Sequence, residues 1–160
     1  MIDRLADLFR EHEAWIAAAR HIDPRATSSV YFSHRPGEVW RLEHGGGETQ
    51  LLPGAAPDPD LVFRFSPGAV ARLEATRGGI SAFAVELFSR MLDEDPEQRV
   101  DFRIVADFRR LATRGYVRLL LAAGPRVVAF GLAHGVASLG ALRRLVAELR
   151  SRDPADWERS

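Results

Sequence analysis

Two alternating runs, Leu61-Val62-Phe63-Arg64-Phe65 and Val100-Asp101-Phe102-Arg103-Ile104, enclose an apolar stretch from Ile80 to Leu92, and nothing else in the chain constrains its fold as strongly. Side chains alternate across a strand, so Leu61, Phe63 and Phe65 share one face, as do Val100, Phe102 and Ile104. Each run therefore has a face that needs a cover. Between them Ile80, Phe83, Ala84, Leu87, Phe88 and Met91 recur at helical spacing, and Val85 and Leu92 widen the stripe. A stripe this broad can bury against a sheet and still offer apolar side chains to another helix, a subunit or a bound lipid. Ordinary core packing accounts for the same pattern.

The flanking sequence supplies the rest of an α+β domain. Ile2, Leu5, Phe9, Ile16 and Ala19 predict an amphipathic helix over residues 2–20, ended near Asp23-Pro24, with His12 on its apolar seam as a half-buried residue bonded to backbone or water. Extended runs at 29–34, 38–44 and 48–52 are separated by Pro36-Gly37 and by Gly45-Gly46-Gly47, which read as turns of a three-stranded meander. His34 and His44 read as surface positions. Residues 52–59 form a loop to another sheet position. Ser66-Pro67 then reads as a helix cap with proline at the first helical position, opening a short helix over 67–77. Gly78-Gly79 ends it, and Ser81 helps to cap the apolar helix that follows.

After the second strand, Asp107 caps a helical segment on which Arg110, Arg114 and Arg118 recur every fourth residue beside Phe108, Leu111 and Leu119. That edge suits an amphiphile's headgroup; the same spacing also describes a solvated arginine face. Gly124-Pro125 breaks the chain, Val127–Phe130 is predicted to be a short extended or connecting piece, and Leu139, Leu142, Val146 and Leu149 mark a last amphipathic helix. Residues 151–160 are expected to fray. The division is one domain over 1–160, with an N-terminal helix (1–22), a core (28–123) and a C-terminal helical extension (124–160).

With 160 residues, the chain is large enough to bury roughly 70% of the surface its unfolded form exposes. It has no cysteine, which removes disulfides, thiolate catalysis and cysteine-bound metals, and all 22 basic residues are arginine, which removes Schiff-base and P-loop lysine chemistry. The 22 acids balance them, so broad nucleic-acid binding is not expected. The charged N-terminus is unlike a signal peptide, and the apolar run 127–142 is too short and too glycine-rich to span a bilayer. A cytoplasmic location is the expectation.

Reactive constellations do not assemble from the sequence. His12, His21, His34, His44 and His134 lack the spacing of a zinc helix, and Gly135-Val136-Ala137-Ser138-Leu139-Gly140 departs from a nucleophile elbow. Asp101 and Asp107 flank a strand beside several arginines, and a cleft could bring a carboxylate to His134 as an acid/base pair; the plainer reading pairs Asp101 across the sheet with an outward arginine such as Arg64 and has Asp107 cap the following helix. No glycine fingerprint opens a helix as a dinucleotide site requires. The chain is therefore read as a binder, not an enzyme, with no cofactor and no metal.

The order of elements resembles the sterol carrier protein type two family, also called nonspecific lipid-transfer domains. The resemblance lies in Asp60–Phe65 followed by Ser66-Pro67-Gly68, the helix around Phe83–Met91, the strand Val100–Val105 and the segment Leu111–Leu121, with Val39-Trp40-Arg41-Leu42 in the opening strands. It implies a five-stranded, mainly antiparallel sheet covered by helices, enclosing an apolar tunnel that takes fatty acyl, sterol-like or isoprenoid ligands. On this reading Phe83, Leu87, Phe88 and Met91 form one wall, Phe102 and Ile104 the floor, and Leu111 and Tyr116 the mouth or opposite wall. Arg110, Arg114 and Arg118 meet the headgroup, and transient membrane contact is expected. The continuation after Gly124 plugs the tunnel, lids it or mediates pairing. The alternative is an interaction or scaffolding module whose apolar helices contact a second copy or a protein partner.

Overall fold

The computed structural model describes residues 2–45 and 48–159. In chain order the elements are α1 (Ile2–Glu11), α2 (Glu13–Ala19), β1 (Thr27–Phe32), β2 (Val39–Gly45), β3 (Glu48–Pro53), β4 (Leu61–Phe65), α3 (Pro67–Ala75), α4 (Gly79–Met91), β5 (Val100–Ile104), α5 (Phe108–Thr113), α6 (Tyr116–Ala122), α7 (Pro125–Ala133), α8 (Leu139–Arg150) and α9 (Asp156–Arg159). The class is α+β. The strands form one sheet in the order β3-β2-β1-β4-β5, antiparallel throughout except that β1 and β4 run parallel. The meander is present, with Gly45 opposite Glu48 at its second hairpin. The expected glycine turn falls on Gly46 and Gly47, which lie outside the described residues.

Register sorts the two sheet faces. Val30 stands beside Phe63, and Phe63 beside Phe102, so Leu42, Val30, Phe63, Phe65, Val100, Phe102 and Ile104 share the face under the helices. One core cluster joins α1, α2, α3 and α4 to this face through Leu5, Phe9, Val30, Phe32, Val70, Leu73 and Phe83. A second joins Ile104, Ala106 and Leu111 to Val146 and Leu149 of α8. Burying each large side chain contributes about 1.5–3 kcal/mol, and both clusters follow the two periodicities of the sequence.

The opposite sheet face is polar and carries the C-terminus. Arg64 pairs with Asp101 at 2.5 Å, as the sequence predicts. Trp157 packs edge-on against Tyr31, and the Arg64 guanidinium lies 5.2 Å from the Trp157 ring. Arg103 and Glu158 approach to 2.6 Å. Residues 151–160 were expected to fray; instead α9 is pinned by these contacts.

Other expectations need correction. The single helix over 2–20 is interrupted at His12, whose extended backbone (φ −74°, ψ 113°) turns α2 away from α1. His12 Nε2 still finds the backbone partner anticipated for it, the Thr76 carbonyl at 3.1 Å. Val127–Phe130 is helical, because Gly124 at φ 82° resets the chain and Pro125 opens α7. Its β-branched pair had suggested extension. The first strand begins at Thr27 and ends at Phe32, two residues earlier at each end than expected. Gly78, not Ser81, occupies the cap of α4, and the buried Ser81 Oγ has no hydrogen-bond partner. The predicted caps Ser66 and Asp107 do accept from Ala69 N (3.2 Å) and Arg110 N (2.7 Å).

Close approach demands glycine at position 115. Gly115 has φ 89°, and a Cβ there would lie 1.9 Å from the His21 carbonyl oxygen. The adjoining Arg114 carbonyl accepts from Asp23 N at 2.9 Å, so the start of α6 is fastened to the turn before β1.

Candidate functional site

α4 is positioned by what lies on either side of it. Phe83 is buried against the His12 and Trp15 rings, at centroid distances of 5.1 and 6.0 Å. Leu87 and Met91, one and two turns further on, pack half-buried on the same cluster with Phe63. Phe88 projects elsewhere. It stacks on Phe130 of α7 with centroids 6.2 Å apart, so the predicted wall is divided between the sheet and α7. Phe102, Leu111, Ile104 and Tyr116 belong to the second cluster. Seven of the eight predicted apolar residues thus lie on two sides of a seam, which crosses the sheet between the neighbours Phe63 and Phe102, and Phe88 lies apart from both.

Along α4 only Phe83 is fully buried, and two grooves open at the edges of the layers. A groove of about 360 Å³ runs along the free edge of β5, lined by the apolar Met91, Val100, Phe102, Ala155 and Trp157 and by the charged Arg99, Asp101, Arg103, Arg152, Asp153 and Glu158. Met91 of the predicted wall and Phe102 of the predicted floor therefore reach solvent here. Arg152 on this rim has no carboxylate partner among the described residues, whereas Arg99 is held by Asp101 at 2.6 Å. A second, wider groove of about 760 Å³ lies between α1–α2 and the α3–α4 turn. Asp7, Glu11, Glu13 and Glu74 make that one acidic, and it contains none of the predicted wall.

The predicted headgroup arginines divide as well. Arg110 Nε and Arg114 Nη1 lie 2.6 and 2.8 Å from Oδ1 of Asp60, a carboxylate with no solvent exposure. Arg110 also reaches Asp58 at 2.8 Å. Asp60 Oδ2 accepts from Thr27 N and from the Tyr116 hydroxyl, both at 3.3 Å, and burial together with that charge raises the Tyr116 hydroxyl pKa. Arg118 is exposed and has no carboxylate partner among the described residues. Asp60 is the residue that sequence reasoning missed. It stood at the head of a strand, and its partners lie 33 to 56 positions away, beyond any local pattern.

His44, expected at the surface, is buried on the helix-side face because it alternates with Trp40 and Leu42. Its Nδ1 lies 3.1 Å from Thr49 Oγ1, and burial lowers its pKa to about 4. Among the described residues no group of three or more His, Asp and Glu is placed to hold a metal ion. No single helix among them is long and apolar enough to cross a membrane.

No family model matches the chain, and no curated protein does. A solved structure described as "UbiJ-SCP2 Ubiquinone synthesis protein" is similar, with a TM-score of 0.44 and 13% identity over 76% of this chain and 87% of that one.

Proposed function

We propose that this protein binds an apolar, lipid-like molecule without transforming it, as a carrier or accessory protein, and that the molecule enters along the β5 edge. The observation that carries this reading is the exposure of Met91 and Phe102, from the apolar seam, in a groove rimmed by the unpaired Arg152. An acyl chain passing between them would displace half-buried side chains. Each methylene taken out of water contributes about 0.8 kcal/mol, so ten give about 8 kcal/mol before ordering costs, enough for micromolar affinity if those costs are small. Arg152 is placed to meet a carboxylate or phosphate headgroup.

The test is native mass spectrometry of freshly purified protein, followed by solvent extraction and titration with a fluorescent fatty acid. Copurified or titratable amphiphile supports the carrier reading. Protein that is lipid-free and takes up no probe overturns it. A second reading, an interaction module, rests on the exposed Leu121 and Leu132, and a stable dimer without lipid would favour it.

A further inference from the structure

The outward side of α7 is apolar. Val127 is buried, whereas Pro125, Val128, Ala129, Leu132 and Ala133 face away from the protein, with Val128 and Leu132 each more than half exposed (53% and 52%). The flanking Leu121 at the end of α6 (71%) and Leu139 at the start of α8 (55%) are exposed as well. A helix against a globular protein ordinarily turns its polar side to water. Here α6 and α7 together have the length and composition of a membrane segment, but they meet at 103°, so neither they nor any single helix among the described residues forms a straight span.

The charges carried by the stretch that forms this surface have one sign. From Phe108 to Ala147 the sequence holds seven arginines and no aspartate or glutamate, although acids and arginines balance over the whole chain. Arg110 and Arg114 are taken up by Asp60 and Asp58. Arg118, Arg126, Arg143 and Arg144 are exposed and have no carboxylate partner among the described residues. Arg118 stands one turn before Leu121 and Ala122, and Arg126 flanks the outward side of α7. Long arginine stems lie along apolar surface while their heads reach outward, the arrangement of an interfacial helix.

We propose that the α6–α7 elbow, with the start of α8, is a docking face for an anionic lipid bilayer, on which Leu121, Val128, Leu132 and Leu139 enter the headgroup boundary while Arg118, Arg126, Arg143 and Arg144 meet lipid phosphates. A second copy of the chain fits this face poorly. A two-fold contact through this acid-free stretch of chain brings the same unpaired arginines toward one another. An anionic membrane surface attracts them, each worth about a fivefold gain in partitioning. The proposal concerns a surface other than the β5 groove and stands whether or not that groove holds lipid.

The test is flotation of the full chain with phosphatidylcholine vesicles, with and without phosphatidylglycerol, at low and high salt. The wild type is expected to float with the anionic vesicles, far less with the neutral ones, and less as salt rises. Val128→Asp/Leu132→Asp is expected to lose about tenfold or more of the binding, and Arg126→Glu/Arg144→Glu a comparable amount. All four positions are exposed, so circular dichroism and uptake of a fluorescent fatty acid in solution should match the wild type. That uptake reports on the β5 groove separately. Failure of the wild type to float with anionic vesicles overturns the proposal, as does flotation undiminished by Val128→Asp/Leu132→Asp. A wild-type dimer that this variant splits, without flotation, overturns it in favour of self-association.

Discussion

Arg114 Nη1 lies 2.8 Å from Asp60 Oδ1, inside a structure where that carboxylate is entirely buried. Asp60 also joins three segments through its backbone: its N–H donates to Thr27 O at 2.8 Å, and its carbonyl accepts from Val105 N and Ala106 N at 2.9 and 3.1 Å. Removing one member of a buried ion pair leaves the other charge uncompensated and costs about 3–5 kcal/mol. Asp60→Ala is therefore expected to destabilise by that amount, a large part of an ordinary domain's stability. Asp60→Asn keeps the shape and some hydrogen bonding and should cost less. Urea denaturation measures both; losses within about 1 kcal/mol of the wild type would show that Asp60 is not a structural hub.

How much of this was legible follows from the range of each interaction. Leu61, Phe63 and Phe65, with Val100, Phe102 and Ile104, could be placed because one buried face imposes period two on neighbouring residues. The parallel pairing of β1 with β4 could not, since Ser28-Ser29-Val30-Tyr31 has no clean alternation and its partner lies more than 30 residues away. Val127-Val128 suggested extension by propensity, and the backbone reset at Gly124 overrode it. The candidate site was legible as a list of apolar residues but not as a shape. Periodicity put Phe83 and Phe88 on one broad stripe, yet only packing decides that Phe83 meets the α2 rings and Phe88 meets Phe130. Arg152 and Trp157 were missed because their segment read as a polar tail.

His44 gives the fold a pH dependence of definite sign. Burial holds its pKa near 4 in the folded state, against 6.5 for an ordinary histidine. Between these values the unfolded chain binds a proton that the folded chain does not, so unfolding free energy rises with pH across this interval. The stabilisation is present above pH 6.5 and is lost as pH falls toward 4, by an amount on the order of 3 kcal/mol. Urea midpoints across this range should fall on acidification, and His44→Gln should flatten the dependence. An unchanged slope in that variant would assign the acid sensitivity to other groups.

Glu158 holds the C-terminal segment across the outer sheet face. Its side chain is 6% exposed and lies 2.6 Å from Arg103 Nη2, while Ala155 N donates to its Oε1 at 3.2 Å. Glu158→Ala is expected to cost about 2–4 kcal/mol, because it leaves the largely covered Arg103 charge unpaired. Arg103→Met combined with Glu158→Leu should cost less than the two single changes together, since neither charge then remains alone. Simple additivity in that cycle would show that the two side chains do not interact.

The β5-edge groove makes an expectation that separates it from the α4–α7 contact. Met91 lines the groove, whereas Phe88 packs on Phe130, so the two helix positions should respond differently to ligand. Met91→Glu puts a charge where an acyl chain would pass; losing that methionine's contribution of about 1.5–3 kcal/mol and adding the desolvation of a carboxylate should weaken fatty-acid binding at least about tenfold. Phe88→Leu preserves an apolar contact with α7 and should leave affinity within about threefold, at a stability cost of about 1 kcal/mol. Arg152→Ala should weaken a fatty-acid probe severalfold and leave its methyl ester unaffected, because only the acid offers the guanidinium a charged partner. Fluorescence titration of the three variants, with thermal melts to confirm folding, decides the matter. If Phe88→Leu loses the ligand while Met91→Glu keeps it, the molecule lies under α7 and the entrance assigned to the β5 edge is wrong.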